Sequence, residues 1–219
     1  MEPYYYQTLS KAEQSSYQAM QAGLQAFAPS FPVPLLENRA LTDVFMKLRL
    51  DCPQLFYAGT FQYRYYPDSR NAELIPAYLF EKGKLKEHQK ALQARVEKLV
   101  RPVARCGDEE KLLYIHDFIC KNVRYDKLKK QYSHEIIGVL GHGVGVCEGI
   151  AKAVKILCDA LQIQCIIALA ENNPEKGVKY RHAWNVVRLD KKYYHLDCTF
   201  DLSLGNPEEI RYDYFRLSD

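Results

Sequence analysis

Cysteine pairs at metal-binding or disulfide-forming spacing are missing from this chain of 219 residues. Its seven cysteines are scattered, and no two of them form a CxxC pair. We therefore expect neither a disulfide framework nor a zinc site. Reduced thiols are typical of a cytoplasmic protein, and most of the seven need no explanation beyond being small apolar groups in a core.

Long apolar runs and runs of one charge are missing as well. No segment approaches the ~18 consecutive apolar residues that a membrane span needs, and residues 1–30 lack the basic start and apolar run of a secretory leader. The formal net charge is only +3 and no long run of Lys and Arg occurs, so nucleic acid is not an expected partner. We expect a cytoplasmic protein without a membrane span; its oligomeric state stays open.

What is present is the composition of a globular protein, with 47% hydrophobic and 26% charged residues. Two domains are predicted. Residues 1–105 would form a mainly helical extension, in which Ser10 and Glu13 make a capping box at the start of a helix. Two strands within residues 55–80 would add a β-hairpin to this extension. Residues 106–219 would form the second domain.

The second domain contains a glycine-rich segment followed by a helix and strands. Gly138, Gly141, Gly143 and Gly145 predict a short loop that ends at Cys147, and a run of helical period follows it. Three strands are then predicted at Ile163–Leu169, about Arg181–Leu189 and Lys192–Phe200, with the polar loop Glu171–Lys179 after the first. A helix followed by such strands is typical of an α+β fold with an antiparallel sheet.

The cysteine at the end of the glycine loop is the first candidate for chemistry. In the segment GVGVCEG the Cys147 thiol falls in the first turn of a helix. Unpaired N–H groups and the positive end of the helix dipole favour the thiolate and lower the thiol pKa. The backbone N–H of Cys147 can also donate to a developing oxyanion. Taken alone, the pattern fits a small apolar residue in a tight corner equally well.

A histidine and an aspartate on neighbouring strands are the other candidates. Asp197 interrupts an apolar strand, and a buried carboxylate is costly unless a partner pairs with it. If Asp190 and Lys191 form a two-residue turn, residues pair where their numbers sum to 381. Asp197 then lies opposite Trp184, which shares a face of the sheet with His182.

Together the three residues make a nucleophile, a base and a group that orients the base. Asp197 would hold the tautomer of His182, and His182 would share a proton with Cys147. The thiolate would attack an amide carbonyl and form a thioester, which water or an amine resolves. Redox sensing would instead need a resolving thiol beside Cys147, and alternation points Cys198 to the other face of its strand.

Three segments of the chain resemble the transglutaminase-like superfamily. They are HDFICKNVRYD, GHGVGVCEGIAKAVKILCDALQI and RHAWNVVRLDKKYYHLDCTFD, and the closing YDYF resembles bacterial members. The resemblance implies a papain-like core, in which a nucleophile helix packs on an antiparallel sheet, and it places the family's catalytic residues on Cys147, His182 and Asp197. Phe200 stands where many members have tryptophan. The calcium-binding loops of animal members have no counterpart, so neither a metal nor a cofactor is implied.

The resemblance also implies a protein or peptide substrate, and we expect a thiol-dependent amide or peptide hydrolase or an acyltransferase. A cross-linking transglutaminase and a non-catalytic interaction module on the same fold are the alternatives. Tyr125 is a candidate oxyanion donor, although packing after a helix explains it equally well. Trp184 and Glu148 are candidate residues of a substrate cleft. Burial in the core and a favourable charge in the first helical turn are their simpler explanations.

Overall fold

The computed structural model describes residues 3–67, 69–171, 181–206 and 208–218. The backbone divides into two compact units, one ending at Gln89 and the other beginning at Lys90. This division precedes the domain boundary expected at residues 105 and 106, which stays a prediction. The polar loop predicted from Glu171 onward lies outside the described residues except for Glu171 itself.

The N-terminal unit combines helices with a small antiparallel sheet. Its helices are α1 (Tyr4–Gln7), α2 (Lys11–Gln25) and α3 (Asn38–Asp51), and its strands are β1 (Phe31–Pro34), β2 (Ala58–Tyr65) and β3 (Asn71–Tyr78). The predicted capping box opens α2: the Ser10 hydroxyl accepts from the Glu13 N–H, and the Glu13 carboxylate accepts from the Ser10 N–H. The strand order is β1-β3-β2, so β2 and β3 form the predicted hairpin.

Strand β1 is a feature that the sequence did not indicate. Pro32 and Pro34 argue against a central strand because proline has no N–H to donate to a ladder. In the structure β1 lies at the edge of the sheet and pairs with β3 alone. An edge position tolerates proline, since one side of the strand needs no hydrogen bonds to a neighbour.

The C-terminal unit has the expected α+β architecture. A helix that spans the division, α4 (Lys82–Val100), is followed by α5 (Asp108–Asn122), β4 (Arg124–Tyr125), β5 (Val144–Gly145), α6 (Cys147–Ala160), β6 (Gln164–Ala170), β7 (His182–Leu189), β8 (Lys192–Leu196), α7 (Cys198–Leu204) and β9 (Phe215–Leu217). Strands β6-β7-β8-β9 form an antiparallel sheet in that order. Helix α6 packs on β6 and β7, and the buried Asn185 amide of β7 donates to the Ala151 carbonyl of α6 at 3.0 Å.

The register between β7 and β8 is the predicted one. Val187 pairs with Tyr194, and Leu189 pairs with Lys192. Asp190 and Lys191 both have positive φ, at 47° and 67°, which is the conformation of a type I′ turn and matches the right-handed twist of the two strands.

The prediction that the last of the three strands extends to Phe200 is wrong. Strand β8 ends at Leu196, and Asp197 is the N-cap of α7. The Asp197 carboxylate accepts the N–H groups of Thr199 and Phe200 at 3.0 and 3.1 Å. These two bonds satisfy donors that a helix leaves unpaired at its start, and the backbone turns into a helix where the apolar run suggested a strand.

The glycine-rich segment is also more ordered than the predicted loop. Ile137–Gly141 forms one turn of π-helix, and Val144–Gly145 forms the short strand β5. Gly143 has φ of +66°, a conformation that side chains disfavour. A Cβ on Gly149 would lie 2.2 Å from the Ser133 carbonyl oxygen, so glycine there allows the segment before α6 to pack against its first turn.

Candidate active site

The Cys147 thiol lies at the N-terminus of α6, as predicted. All seven cysteines fall within the described residues; Cys106 and Cys147 are partly exposed, and the other five are buried. Burial acts to raise the pKa of Cys147, but hydrogen bonds from His182 and from the Ala183 N–H, together with the charge of His182, outweigh it. The net pKa lies below the ordinary value of a thiol, so the environment favours the thiolate.

The imidazole of His182 connects the thiol with the carboxylate of Asp197. His182 begins β7, and its Nε2 lies 2.5 Å from Asp197 Oδ2. The hydrogen bonds to Asp197 and Cys147 raise the pKa of His182 to about 9, against an opposing effect of burial. Because Nε2 is engaged by Asp197, Nδ1 is the nitrogen left for the thiol. The site therefore favours an imidazolium next to a thiolate.

Three groups hold the Asp197 carboxylate in place. Its Oδ1 accepts the two N–H groups at the start of α7, and its Oδ2 faces His182. The Asp197 backbone N–H donates to the Tyr214 carbonyl at 3.0 Å. The residue is 6% exposed. Oδ1 of this carboxylate thus caps the start of α7, while Oδ2 orients the imidazole of His182.

Tyr125 lies close to the thiol. It pairs with Gly145 across the parallel strands β4 and β5, two residues before Cys147, and it is 37% exposed. Burial raises the pKa of Tyr125, and the charges of Cys147 and Asp126 raise it further. The phenol is therefore protonated at neutral pH and can act as a hydrogen-bond donor.

The two candidate cleft residues have different surroundings. The ring of Trp184 lies nearly parallel to that of His182, with centroids 5.9 Å apart, and its Nε1 donates to His195 Nδ1 at 2.8 Å. The Glu148 carboxylate instead pairs with the buried Lys152 at 2.7 Å and faces His134 at 3.4 Å. Trp184 therefore flanks His182, whereas Lys152 and His134 hold the Glu148 side chain.

The structure adds residues that the sequence reasoning did not assign to the site. Phe200 stacks on His182 with centroids 4.5 Å apart, and Tyr214 packs on Phe200 at 4.9 Å. The Ala183 N–H contributes a hydrogen bond to the Cys147 sulfur. The departure of Phe200 from the tryptophan of many transglutaminase-like proteins was the one available signal. The backbone contact has no sequence signature, because any residue supplies an N–H.

The described residues contain no cluster of three or more His, Cys, Asp or Glu side chains placed to hold a metal ion. Among the helices of the described part, none has the length and apolarity to cross a membrane.

The site thus combines a thiol at a helix N-terminus with a neighbouring histidine and aspartate, and it lies on an α+β core. Residues 90–198 match the family model of the transglutaminase-like superfamily. Through this segment the chain belongs to the transglutaminase-like superfamily. No curated protein matches the chain.

Two solved structures are similar to the chain at low sequence identity. One is a TGase, at 9% identity and a TM-score of 0.43, covering 78% of this chain. The other is a candidate cysteine protease from Cytophaga hutchinsonii, at 15% identity and a TM-score of 0.39, covering 64% of this chain. The chain spans 50% and 61% of the lengths of these two proteins.

Proposed function

We propose that the protein is a cysteine-dependent amide or peptide hydrolase, or an acyltransferase, that acts through a thioester on Cys147. His182 is the base and later the acid, and Asp197 orients it. The observation that carries the proposal is the continuous set of hydrogen bonds from thiol to imidazole to carboxylate, at the partly exposed start of a helix. Membership of the transglutaminase-like superfamily supports the same chemistry.

The surroundings of the proposed triad favour an ion pair in the resting enzyme. The pKa of Cys147 is lowered, and the pKa of His182 is raised to about 9. A lowered thiol pKa beside a raised imidazole pKa shifts the shared proton from the sulfur of Cys147 towards the imidazole of His182. Asp197 stabilises the positive imidazole through Nε2.

The reaction begins when the thiolate attacks the carbonyl carbon of an amide. A C–S bond forms as the carbonyl π electrons move to oxygen, and the backbone N–H of Cys147 and the Tyr125 hydroxyl are the proposed donors to this oxyanion. When the C–N bond breaks, His182 gives its proton to the leaving nitrogen. The product is a thioester on Cys147 and a free amine or ammonia.

Resolution of the thioester separates hydrolysis from transamidation. Water attacks with His182 as base and releases a carboxylic acid and the thiol, whereas a primary amine attacks in the same way and releases a new amide. We favour hydrolysis of a protein or peptide substrate, because it needs only water besides the triad. The aromatic rings of Trp184 and Phe200 beside His182 would line the entrance for the substrate.

The test is incubation with peptide amides and glutamine-containing peptides, with and without a primary amine. Released ammonia or amine is measured, and intact-protein mass spectrometry detects the acyl-enzyme. Cys147→Ala should lower turnover by about 10⁴-fold or more and abolish the added mass. Cys106→Ala is the matched control, since Cys106 is the other partly exposed thiol and its pKa is raised by its hydrogen bond to Glu110. This control should keep full activity.

The outcomes separate the alternatives. Turnover without amine incorporation supports a hydrolase, and incorporation of the amine supports a cross-linking enzyme. An unmodified and unreactive Cys147 across the substrate panel would favour a non-catalytic interaction module instead.

A further inference from the structure

A second set of cysteine, histidine and aspartate lies buried in the C-terminal unit. His116 and Cys120 are on α5, and Asp201 is on α7. His116 Nε2 lies 3.0 Å from Asp201 Oδ2 and 3.6 Å from Cys120 Sγ. The side chains of His116 and Asp201 are both 0% exposed. Burial, with the charges of Asp201 and Asp117, raises the pKa of Cys120 to about 12, so this thiol is not a second nucleophile.

The buried pair is connected to the candidate active site through one backbone segment. Asp201 Oδ1 accepts the Tyr214 N–H at 3.0 Å. The Tyr214 carbonyl in turn accepts the Asp197 N–H at 3.0 Å. Asp197 Oδ2 then lies 2.5 Å from His182. A chain of hydrogen bonds therefore leads from His116 to the imidazole beside Cys147.

Asp197 and Asp201 fix α7 at two points. Asp197 caps the N-terminus of the helix, and Asp201 lies one turn further along, so the two carboxylates move together if the helix rotates. A buried carboxylate needs partners for both of its oxygens. For Asp201 these partners come from α5 and from the segment that leads into β9.

Other groups surround His116 without joining this chain. Asp117 Oδ1 lies 3.4 Å from His116 Nδ1 and also accepts the Tyr212 hydroxyl at 3.0 Å. The rings of Tyr212 and Phe215 pack against the imidazole, with centroids 5.1 and 5.0 Å away. The His116 imidazole is thus contacted by Asp117 and by two aromatic rings, while its Nε2 faces Asp201.

We propose that His116 is a positioning residue for the active site. Through Asp201 and the backbone of Tyr214 it sets the orientation of α7, and with it the direction in which the Asp197 carboxylate faces His182. The inference rests on the proposed function, because the direction of this carboxylate matters only if Cys147, His182 and Asp197 act as a triad.

The test compares His116→Leu with His116→Gln. Glutamine keeps an N–H donor that can reach Asp201, whereas leucine removes the donor and leaves Asp201 Oδ2 unpaired. The rate of iodoacetamide alkylation at Cys147 is measured from pH 5 to 10 by peptide mass spectrometry. His116→Leu should lower the rate at pH 6 by about tenfold, the change that a one-unit rise in the thiol pKa produces. His116→Gln should keep most of the wild-type profile.

A general loss of stability would not reproduce this result, because the readout is the shape of the pH profile rather than the yield of folded protein. Tyr17→Phe is the control: it removes the buried Tyr17 hydroxyl, which bonds to Asp51 at 3.1 Å in the N-terminal unit, and should leave the profile unchanged. If His116→Leu does not fold, Asp201→Asn replaces it. This variant keeps the acceptor for Tyr214 and alters the group that faces His116.

A wild-type profile in His116→Leu, or in Asp201→Asn where that variant is used, would overturn the proposal. His182→Ala, measured in parallel, separates this failure from failure of the proposed function. If His182→Ala shifts the profile and the His116 variant does not, only the positioning role fails. If His182→Ala also leaves the profile unchanged, the triad itself is not assembled.

Discussion

The C-terminal unit contains the same three residue types in two environments. Cys147, His182 and Asp197 lie at the partly exposed start of α6, whereas Cys120, His116 and Asp201 lie in the core. The pKa of Cys147 is lowered, and the pKa of Cys120 is raised to about 12. Identity of side chains therefore does not by itself make a reactive thiol.

Burial is the largest cause of the raised pKa of Cys120, and two further physical differences add to the contrast. Cys147 is the first residue of α6, where the helix dipole and free N–H groups favour a negative charge, while Cys120 lies in the last turn of α5, where the dipole opposes it. The histidines also differ in their partners. His182 serves both its thiol and one carboxylate, whereas His116 has Asp117 and Asp201 on either side. The carboxylates that face Cys120 repel a thiolate.

The largest expected difference between the two clusters is in thiol reactivity. A pKa near 12 leaves about one Cys120 thiolate in 10⁵ at pH 7, and burial restricts access further. In native protein at pH 7, iodoacetamide should therefore label Cys147 much faster than Cys120, which should react only after unfolding. Time-resolved labelling read by peptide mass spectrometry checks this. Comparable rates for the two thiols in folded protein would contradict the contrast.

Removing each carboxylate should affect stability to different degrees. Asp201→Ala breaks a fully buried pair and should cost about 3–5 kcal/mol. Asp197→Ala mainly removes an N-cap and should cost about 1–2 kcal/mol. Urea unfolding followed by fluorescence of Trp184, the single tryptophan, reports on the C-terminal unit. Equal losses in the two variants would show that the buried cluster has no special structural role.

The smallest of the expected effects is the change in the free energy of unfolding with pH. His182 has a folded pKa of about 9 and an ordinary value near 6.5, so its contribution is complete below pH 6.5 and is lost as pH rises through 9. The lowered pKa of Cys147 makes the free energy of unfolding increase with pH instead. The measurement is therefore made in Cys147→Ala, where this opposing effect is removed. In that variant the free energy of unfolding should fall by about 1 kcal/mol from pH 6.5 to 9.5, after allowance for solvent screening and for the loss of the Cys147 hydrogen bond that also raises the pKa of His182.

Adding Asp197→Asn to the same variant should remove most of this decline. Asparagine is as good an N-cap as aspartate, so the change isolates the charge that holds the proton on His182. A decline of the same size in the double variant would show that Asp197 does not raise the pKa of His182.

Local patterns in the sequence predicted the parts of the candidate site that depend on neighbours along the chain. Glycines before a run of helical period placed Cys147 at the start of α6, and the Asp190–Lys191 turn gave the register of β7 and β8. The prediction that Asp197 lies in a strand was wrong, because N-cap bonds to Thr199 and Phe200 stop β8 at Leu196. An apolar run does not distinguish the end of a strand from a short buried helix.

By itself, the sequence determined the α+β class, the position of the thiol on its helix and the pairing of the two strands beside it. These follow from periodicity, from the glycines that precede α6 and from turn geometry, which act over a few residues. Only the tertiary structure decided which cysteine is accessible and which histidine supports it. His116 meets Asp201 across 85 residues of chain, and burial raises or lowers a pKa only after distant segments have packed together.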